Sequence, residues 1–166
     1  MKEISVRTVV IGSGCAGLNA ADWLWDLDQR DMMLVTENMN SGTSRNTGSD
    51  KQTYYKLSLS GDEGDSVGAL AAMLLGNHGD VNGDTALCEA AASAKSFFKL
   101  AGLGVPFPCN EYGEYVGYQT DHDHFRRATS AGPLTSKFMT EALEKSVRSK
   151  GVPIRDQALA CRILTD

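Results

Sequence analysis

The sequence predicts an α/β fold built around a parallel sheet, and three consecutive segments near the N-terminus predict it. Thr8–Ile11 is a β-branched, apolar run without alternation, which is typical of a short buried strand. From Cys15 to about Leu27 the apolar residues recur at helical spacing. Met32–Thr36 is a second apolar run, closed by Glu37. Strand, helix and strand in this order form a βαβ unit, whose strands lie parallel and are joined by a right-handed crossover.

A glycine-rich turn, G-S-G-C-A-G at positions 12–17, lies between the first strand and the helix. Gly12 permits the sharp exit from the strand, Gly14 leaves the main chain open to a pyrophosphate, and Gly17 lets the helix pack closely on the strands. The N-terminus of the helix offers unpaired N–H groups and a partial positive charge to an anion. The turn therefore predicts a dinucleotide site in which Gly12, Gly14, Cys15, Ala16 and Gly17 contact the diphosphate.

An acidic residue follows the second strand at the position expected of such a site. Glu37 lies 20 residues beyond Gly17, where a carboxylate accepts hydrogen bonds from ribose hydroxyls. The same charge repels a 2′-phosphate, which disfavours NADP. The alternative is a purely structural glycine turn with Glu37 solvated.

The segment after Glu37 bears on which dinucleotide binds. Residues 39–52 are rich in small and hydroxyl-bearing side chains, whereas an NAD-binding domain more often runs directly into another helix here. A loop this long inside a compact domain is usually functional. The composition leaves FAD and NAD both open.

The remainder of the chain predicts further elements of one domain, residues 1–166, without repeats. In the stretch 38–65 only Tyr54–Leu59 has a structured pattern, and Ser66–Leu75 is predicted to be a helix. Asp84 is the expected N-cap of a helix that ends near Leu100, and an aromatic and polar stretch of about 28 residues follows. The clearest helix begins after Pro133, and Ala158–Leu164 is the expected last strand.

Charge and composition exclude several classes of protein. The net charge is −5 and the only basic doublet is Arg126-Arg127, which argues against a nucleic-acid partner. No apolar run reaches the roughly 18 residues of a membrane span, and the N-terminus does not have the pattern of a signal peptide, so a cytoplasmic location is expected. The four cysteines have no C-x-x-C spacing, so we expect neither disulfides nor zinc.

In the stretch TDHDHFRR, residues 120–127, His122 and His124 alternate with Asp121 and Asp123. A metal site needs ligands that converge from a rigid frame, whereas this stretch has the pattern of one short polar loop, so we expect no metal.

Five motifs, in order, make the sequence resemble a known family. They are VVIGSGCAGLNAA, MLVTE, GTSRNTG, FFKLAGLGVPF and RATSAGPLTSKFMTEALEKSV. The chain resembles the N-terminal part of the flavoprotein subunit of succinate dehydrogenase, fumarate reductase and L-aspartate oxidase. The resemblance implies an incomplete Rossmann-like FAD/NAD(P)-binding domain, with a parallel sheet, a βαβ N-terminus and long insertions. It also implies that the full-length protein is an FAD-dependent oxidoreductase and that this part alone is inactive. The alternative is the NAD-binding Rossmann module of a dehydrogenase.

The resemblance also implies roles for single residues. Glu37 would bind the adenosine ribose, and the backbone of Ala160 would contact adenine. The residues implied along the loop to the ribityl chain and the flavin ring are Thr43, Ser44, Asn46, Thr47 and Gly48. The aromatic and polar region leads toward the substrate side, where His122, Arg126 or Arg127 would orient an anionic substrate.

Two departures from the family pattern modify these expectations. Many respiratory members carry a histidine that links covalently to the flavin, whereas Ser44 is followed here by Arg45 and Asn46, so we expect non-covalent FAD. The usual double glycine is replaced by Asp50-Lys51, which counts against the family's dicarboxylate substrate but not against its redox class. A small-molecule substrate is expected, with a carboxylate as one candidate class. In the family the capping domain and its proton-donating arginine lie beyond the equivalent of Asp166, so no catalytic residue is assigned here. An electron-transfer partner or a second copy of the chain is the expected protein partner.

Overall fold

The structure is a computed structural model that describes residues 3–61, 64–76 and 80–165. The chain divides into two compact units: unit 1 comprises Met1–Gly48 and Ser136–Asp166, and unit 2 comprises Ser49–Thr135. The elements in chain order are β1 (Thr8–Ile11), α1 (Cys15–Asp26), β2 (Met32–Val35), α2 (Thr43–Asn46), β3 (Tyr54–Tyr55), α3 (Val67–Leu75), α4 (Gly83–Gly102), β4 (Tyr118–Thr120), β5 (Asp123–Thr129), α5 (Thr135–Ser149) and β6 (Ile154–Arg155). None of the helices in the described residues is both long and apolar enough to span a membrane.

Unit 1 contains a parallel sheet with the strand order β1-β2-β6. Thr8 pairs with Met32 and Leu34 pairs with Ile154, so both neighbours of β2 run parallel to it. Leu18 of α1 is fully buried, as is Leu34 of β2. The predicted βαβ unit is therefore confirmed, with bounds within one residue of those expected from the apolar runs.

Polar contacts attach α5 to α1 within unit 1. Asp22 is fully buried, and its Oδ1 accepts hydrogen bonds from Ser146 Oγ at 2.6 Å and from Lys150 Nζ at 2.9 Å. Lys150 Nζ also lies 2.7 Å from Asp26 Oδ1. Burial lowers the pKa of Lys150, but the hydrogen bonds to Asp26 and Asp22 outweigh that effect, and the net pKa is raised. The ammonium therefore stays charged and holds the two helices together.

The last strand lies earlier than the sequence predicts. Residues 158–164 form no strand, and β6 is the dipeptide Ile154–Arg155. Ile154 is partly buried beside Leu34, whereas Leu159 and Ile163 are 65% and 81% exposed. The prediction of a strand at Ala158–Leu164 was wrong because an apolar run indicates a preference for burial and does not say which run reaches the sheet.

Unit 2 contains an antiparallel sheet with the strand order β3-β5-β4, and α3 and α4 pack against each other. The helix predicted over Ser66–Leu75 is confirmed, with Ser66 as the N-cap whose Oγ accepts the Ala69 N–H at 3.1 Å. The N-cap of α4 is Asn82 and not Asp84, because the Asn82 side chain accepts the Thr85 N–H at 3.1 Å.

A buried ion cluster holds β5 in unit 2. The Arg127 side chain is 1% exposed and lies 2.6 Å from Asp65 Oδ1 and 3.3 Å from Asp123 Oδ2. Burial raises the pKa of Asp65, but the hydrogen bonds and charge of Arg127, together with the N–H groups of Ser58 and Ser66, outweigh that effect and lower it. The expected polar loop over residues 120–127 was wrong, since β5 begins at Asp123, and two of its charged residues, Asp123 and Arg127, pair in the interior. Arg127 is therefore not available to orient a substrate.

The buried cation of Lys56 has a different environment. Lys56 is fully buried, its Nζ lies 4.9 Å from the ring centre of Phe97, and within the described residues that nitrogen has no hydrogen-bond partner. Burial lowers the pKa of Lys56, because desolvation disfavours the charged form. The aromatic face compensates part of that cost.

Candidate functional site

A cleft of about 280 Å³ lies in unit 1 at the carboxyl ends of β1 and β2. This is the edge of a parallel sheet at which open α/β folds bind their ligands. The lining residues come from the glycine turn, the end of β2, the start of the long loop and the segment after β6; they are Ile11, Gly12, Ser13, Gly14, Val35, Thr36, Glu37, Ser41, Gly42, Ala158, Leu159 and Ala160. The structure thus brings Gly12, Gly14, Glu37 and Ala160 together, although these residues come from three separate parts of the sequence.

The glycine turn joins β1 to α1 and lines one wall of the cleft. Gly12 has φ +100°, a left-handed conformation that favours glycine, and its N–H donates to Val35 O at 2.8 Å. Helix α1 begins at Cys15, and its N-cap, Gly14, has no side chain that caps the helix. Apart from the Cys15 N–H, which donates to Ser44 Oγ at 3.4 Å, the N–H groups of the first turn are therefore available to an anion.

Gly14 and Gly17 differ in what a side chain would meet. A Cβ at Gly17 would lie 2.0 Å from Gly12 O, so the close packing of α1 on the turn requires glycine there. A Cβ at Gly14 would meet only Ser44 Oγ at 3.7 Å, an ordinary contact, and the backbone at φ −70° accepts any residue. The protein's own packing does not require glycine at position 14. The main chain at Gly14 is therefore open on that side, apart from the contact with Ser44 Oγ.

Glu37 lies exposed at the rim of the cleft, directly after β2. The turn beside it is fixed by several polar contacts. Thr36 Oγ1 lies 2.9 Å from Ser13 Oγ, and the Met39 N–H donates to Asp156 Oδ1 at 3.1 Å. Sequence reasoning did not identify Ser13 or Asp156, although Ser13 is the first variable residue of the glycine motif.

The loop after Glu37 contains the short helix α2, which the sequence did not predict. Gly42 precedes it with φ +96°. Within α2, the Ser44 Oγ accepts the Cys15 N–H at 3.4 Å, which joins the loop to the start of α1. Asn46 Nδ2 donates to Gly42 O at 3.0 Å, and Thr47 Oγ1 donates to Thr43 O at 2.8 Å.

These side chains therefore stabilise the loop itself. Thr43, Asn46, Thr47 and Gly48 are exposed, and Ser44 is partly buried. Their predicted contacts with a ribityl chain and a flavin ring stay a prediction.

The segment after β6 forms the opposite wall. The Ala158 N–H donates to Thr36 O at 3.0 Å, which holds the segment against the end of β2. Ala160 lines the cleft in irregular backbone and not in a strand. Its predicted contact with adenine stays a prediction.

The groups that the cleft offers to a ligand are hydrogen-bond donors and acceptors. Burial raises the pKa of the Cys15 thiol, so this residue stays protonated near neutral pH and is not a thiolate nucleophile. Within the described residues, no group of three or more His, Cys, Asp or Glu side chains is placed to hold a metal ion. The site offers backbone donors to an anion and one carboxylate to hydroxyl groups.

Several solved structures share this fold. E. coli quinol fumarate reductase FrdA aligns with a TM-score of 0.75 at 15% identity, over 94% of this chain and 26% of its own. Mycobacterium smegmatis Sdh1 in complex with UQ1 aligns with a TM-score of 0.76 at 17% identity, over 95% of this chain and 28% of its own. The 3-ketosteroid-delta4-(5alpha)-dehydrogenase of Rhodococcus jostii RHA1 aligns with a TM-score of 0.67 at 13% identity, over 92% of this chain and 38% of its own.

Neither a family model nor a curated protein matches the sequence. The chain spans about a quarter of the length of the first two similar structures. It therefore shares the fold of part of each of these proteins, over nearly all of its own length.

Proposed function

We propose that this chain forms the FAD-binding part of an FAD-dependent oxidoreductase of the succinate dehydrogenase and fumarate reductase type. The observation that carries the proposal is the glycine turn, where the main chain at Gly14 lies open beside the uncapped N-terminus of α1. The resemblance of the five sequence motifs and the fold shared with a fumarate reductase support the same function.

Different residues of the cleft bind different parts of FAD in this proposal. The first-turn N–H groups of α1 bind the diphosphate, since they point at the anion and the helix dipole favours negative charge. Glu37 accepts hydrogen bonds from the adenosine ribose, and the backbone at Ala160 contacts adenine. Thr43, Ser44, Asn46, Thr47 and Gly48 lie along the ribityl chain and the flavin ring.

The bound flavin would supply the hydride chemistry of the reaction. The chain contributes orientation and electrostatics. We propose that the flavin is held without a covalent link, because residues 42–48 contain no histidine, cysteine or tyrosine to form one. In the whole protein, the proposed substrate is a small molecule, with a carboxylate as its candidate class. The proposed protein partner is an electron-transfer protein or a second copy of the chain.

The test is a titration of the natural polypeptide that carries these residues, stripped of cofactor, with FAD and separately with NAD. We expect FAD to bind, with quenched flavin fluorescence and a perturbed visible spectrum, and NAD to compete only weakly. Acid precipitation should release all of the yellow colour into the supernatant. Tight binding of NAD without binding of FAD would refute the function, and colour retained in the precipitate would refute the non-covalent link.

Glu37→Gln tests the predicted role of the carboxylate. A hydrogen bond to a charged group contributes about 1.5–3 kcal/mol, so the dissociation constant for FAD should rise about tenfold to a hundredfold. The matched control is Asp31→Asn, which removes an exposed carboxylate just before β2, at the strand end away from the cleft. Equal effects of the two substitutions would show that the general charge of unit 1 matters and not a contact of Glu37.

A further inference from the structure

A largely buried guanidinium, that of Arg45, joins the loop after Glu37 to α5. The Arg45 side chain is 12% exposed, and its Nη2 donates to Glu144 Oε2. Its Nη1 lies 3.8 Å from Glu141 Oε1. The two carboxylates are three residues apart on α5 and therefore share one face of that helix.

The residue before Arg45 makes the other attachment of α2. Ser44 Oγ accepts the Cys15 N–H at 3.4 Å and is the one atom that a Cβ at Gly14 would approach. Two consecutive residues of the loop thus contact two different helices, one at each side of α2. Fixing Arg45 on α5 fixes the orientation of α2 and with it the place of Ser44 at the glycine turn.

We propose that Arg45 is a positioning residue, which through its ion pair with Glu144 holds residues 42–48 against the glycine turn in the conformation that accepts the cofactor. The inference rests on the proposed function, since it assigns a role in FAD binding. Arg45 acts through the loop, because its guanidinium is directed to α5. A loop that is ordered before binding loses less conformational freedom on binding, which raises affinity.

The experiment compares Arg45→Met with the wild-type natural polypeptide. Methionine keeps much of the aliphatic volume and removes the charge. We expect the dissociation constant for FAD to rise about tenfold, because a buried, hydrogen-bonded charge pair is broken. Before FAD is added, hydrogen exchange at the Asn46 and Thr47 amides, which donate to Gly42 O and Thr43 O, should already be faster in the variant.

Arg148→Met is the matched control. Arg148 Nε lies 2.7 Å from Glu144 Oε1, so this substitution removes the other cation from the same carboxylate without touching the loop. It should leave both the FAD affinity and the exchange of the loop amides unchanged. A loss of affinity equal to that of Arg45→Met would overturn the inference.

A double-mutant cycle with Glu144→Gln completes the test. If Arg45 acts through Glu144, the double variant binds FAD no more weakly than Arg45→Met alone, whereas additive losses would contradict the inference. Wild-type protein that binds no FAD would refute the proposed function and this inference together. Wild-type protein that binds FAD while Arg45→Met binds equally well would refute the inference alone.

Discussion

The substitutions Gly14→Ala and Gly17→Ala are predicted to change different properties of the protein. Gly14→Ala should weaken FAD binding, and Gly17→Ala should lower the free energy of unfolding. Both residues belong to the same glycine motif and lie one helical turn apart. A Cβ at Gly17 would lie 2.0 Å from Gly12 O, whereas a Cβ at Gly14 would have its nearest neighbour, Ser44 Oγ, at 3.7 Å. Packing requires glycine at position 17, whereas the requirement for glycine at position 14 is predicted to come from the cofactor.

The magnitudes follow from these distances. Gly17→Ala forces the helix away from the turn, and overpacking of this kind costs about 1–3 kcal/mol in the free energy of unfolding. Gly14→Ala introduces no clash in the free protein. The reduced freedom of the unfolded chain, about 0.4–1 kcal/mol, is offset by the poorer preference of alanine for the N-cap position, so stability should stay close to that of the wild type. A methyl group over the open main chain displaces the diphosphate from the first N–H groups of α1. Loss of one charge-assisted hydrogen bond there weakens FAD binding at least about tenfold.

The assay is chemical denaturation of the cofactor-free protein, followed by a fluorescence titration of each variant with FAD. Gly14→Ala should unfold close to the wild-type denaturant concentration and bind FAD at least tenfold more weakly. Gly17→Ala should unfold earlier. A Gly14→Ala protein that is stable and binds FAD as tightly as the wild type would refute the placement of the diphosphate on this turn.

Three further predictions concern unit 2. The pKa of Asp65 is lowered, so its pair with Arg127 contributes its full stabilisation above the unfolded-state pKa of about 3.9. This contribution is lost as pH falls through the folded-state pKa. In denaturation measured against pH, Asp65→Asn should therefore reduce the loss of stability at acid pH. Lys56→Met removes a buried cation that has no hydrogen-bond partner within the described residues, so it should not lower the free energy of unfolding at neutral pH. It should also abolish the rise in wild-type stability that is expected as pH increases from the lowered pKa of Lys56 to about 10.4, and a destabilised variant would contradict this expectation. Gly117→Ala would place a Cβ 2.1 Å from Arg126 O, so it should lower the denaturation midpoint by more than Gly113→Ala, whose Cβ meets nothing within 4 Å but whose φ of +80° still carries backbone strain.

The sequence predicts the first strand, helix and strand of unit 1 almost to the residue. Each of these elements is defined by its own local pattern: β-branched residues for β1, helical spacing for α1, and an apolar run ended by Glu37 for β2. The glycine motif adds chemistry that depends on backbone conformation and not on distant partners. Local information is therefore sufficient for this half of the site.

The remaining differences arise where partners distant in sequence decide the structure. Asp123–Thr129 is polar in composition, yet it forms a partly buried strand in which the guanidinium of Arg127 pairs with Asp65, 62 residues earlier. Likewise, the apolar run after Asp156 has a strand-like pattern, yet the place beside β2 is already taken by Ile154–Arg155. Pairing across such separations is not encoded in any local window.

Recognition in this cleft is shared between features common to all dinucleotides and features that select one. A diphosphate on the α1 N-terminus and a ribose on Glu37 are common to FAD and NAD, so neither feature separates the two cofactors. Among the described residues that line the cleft, Glu37 is the one with an ionisable side chain. No other charged side chain of the lining therefore distinguishes FAD from NAD. What remains is residues 42–48, the segment that lies beside the glycine turn through Ser44 and is fixed to α5 through Arg45. If this segment selects FAD, then loosening it through Arg45→Met should weaken FAD binding. The weak affinity for ADP, which carries the diphosphate and ribose but no flavin, should stay unchanged. An equal loss of affinity for both ligands would show that other residues select FAD.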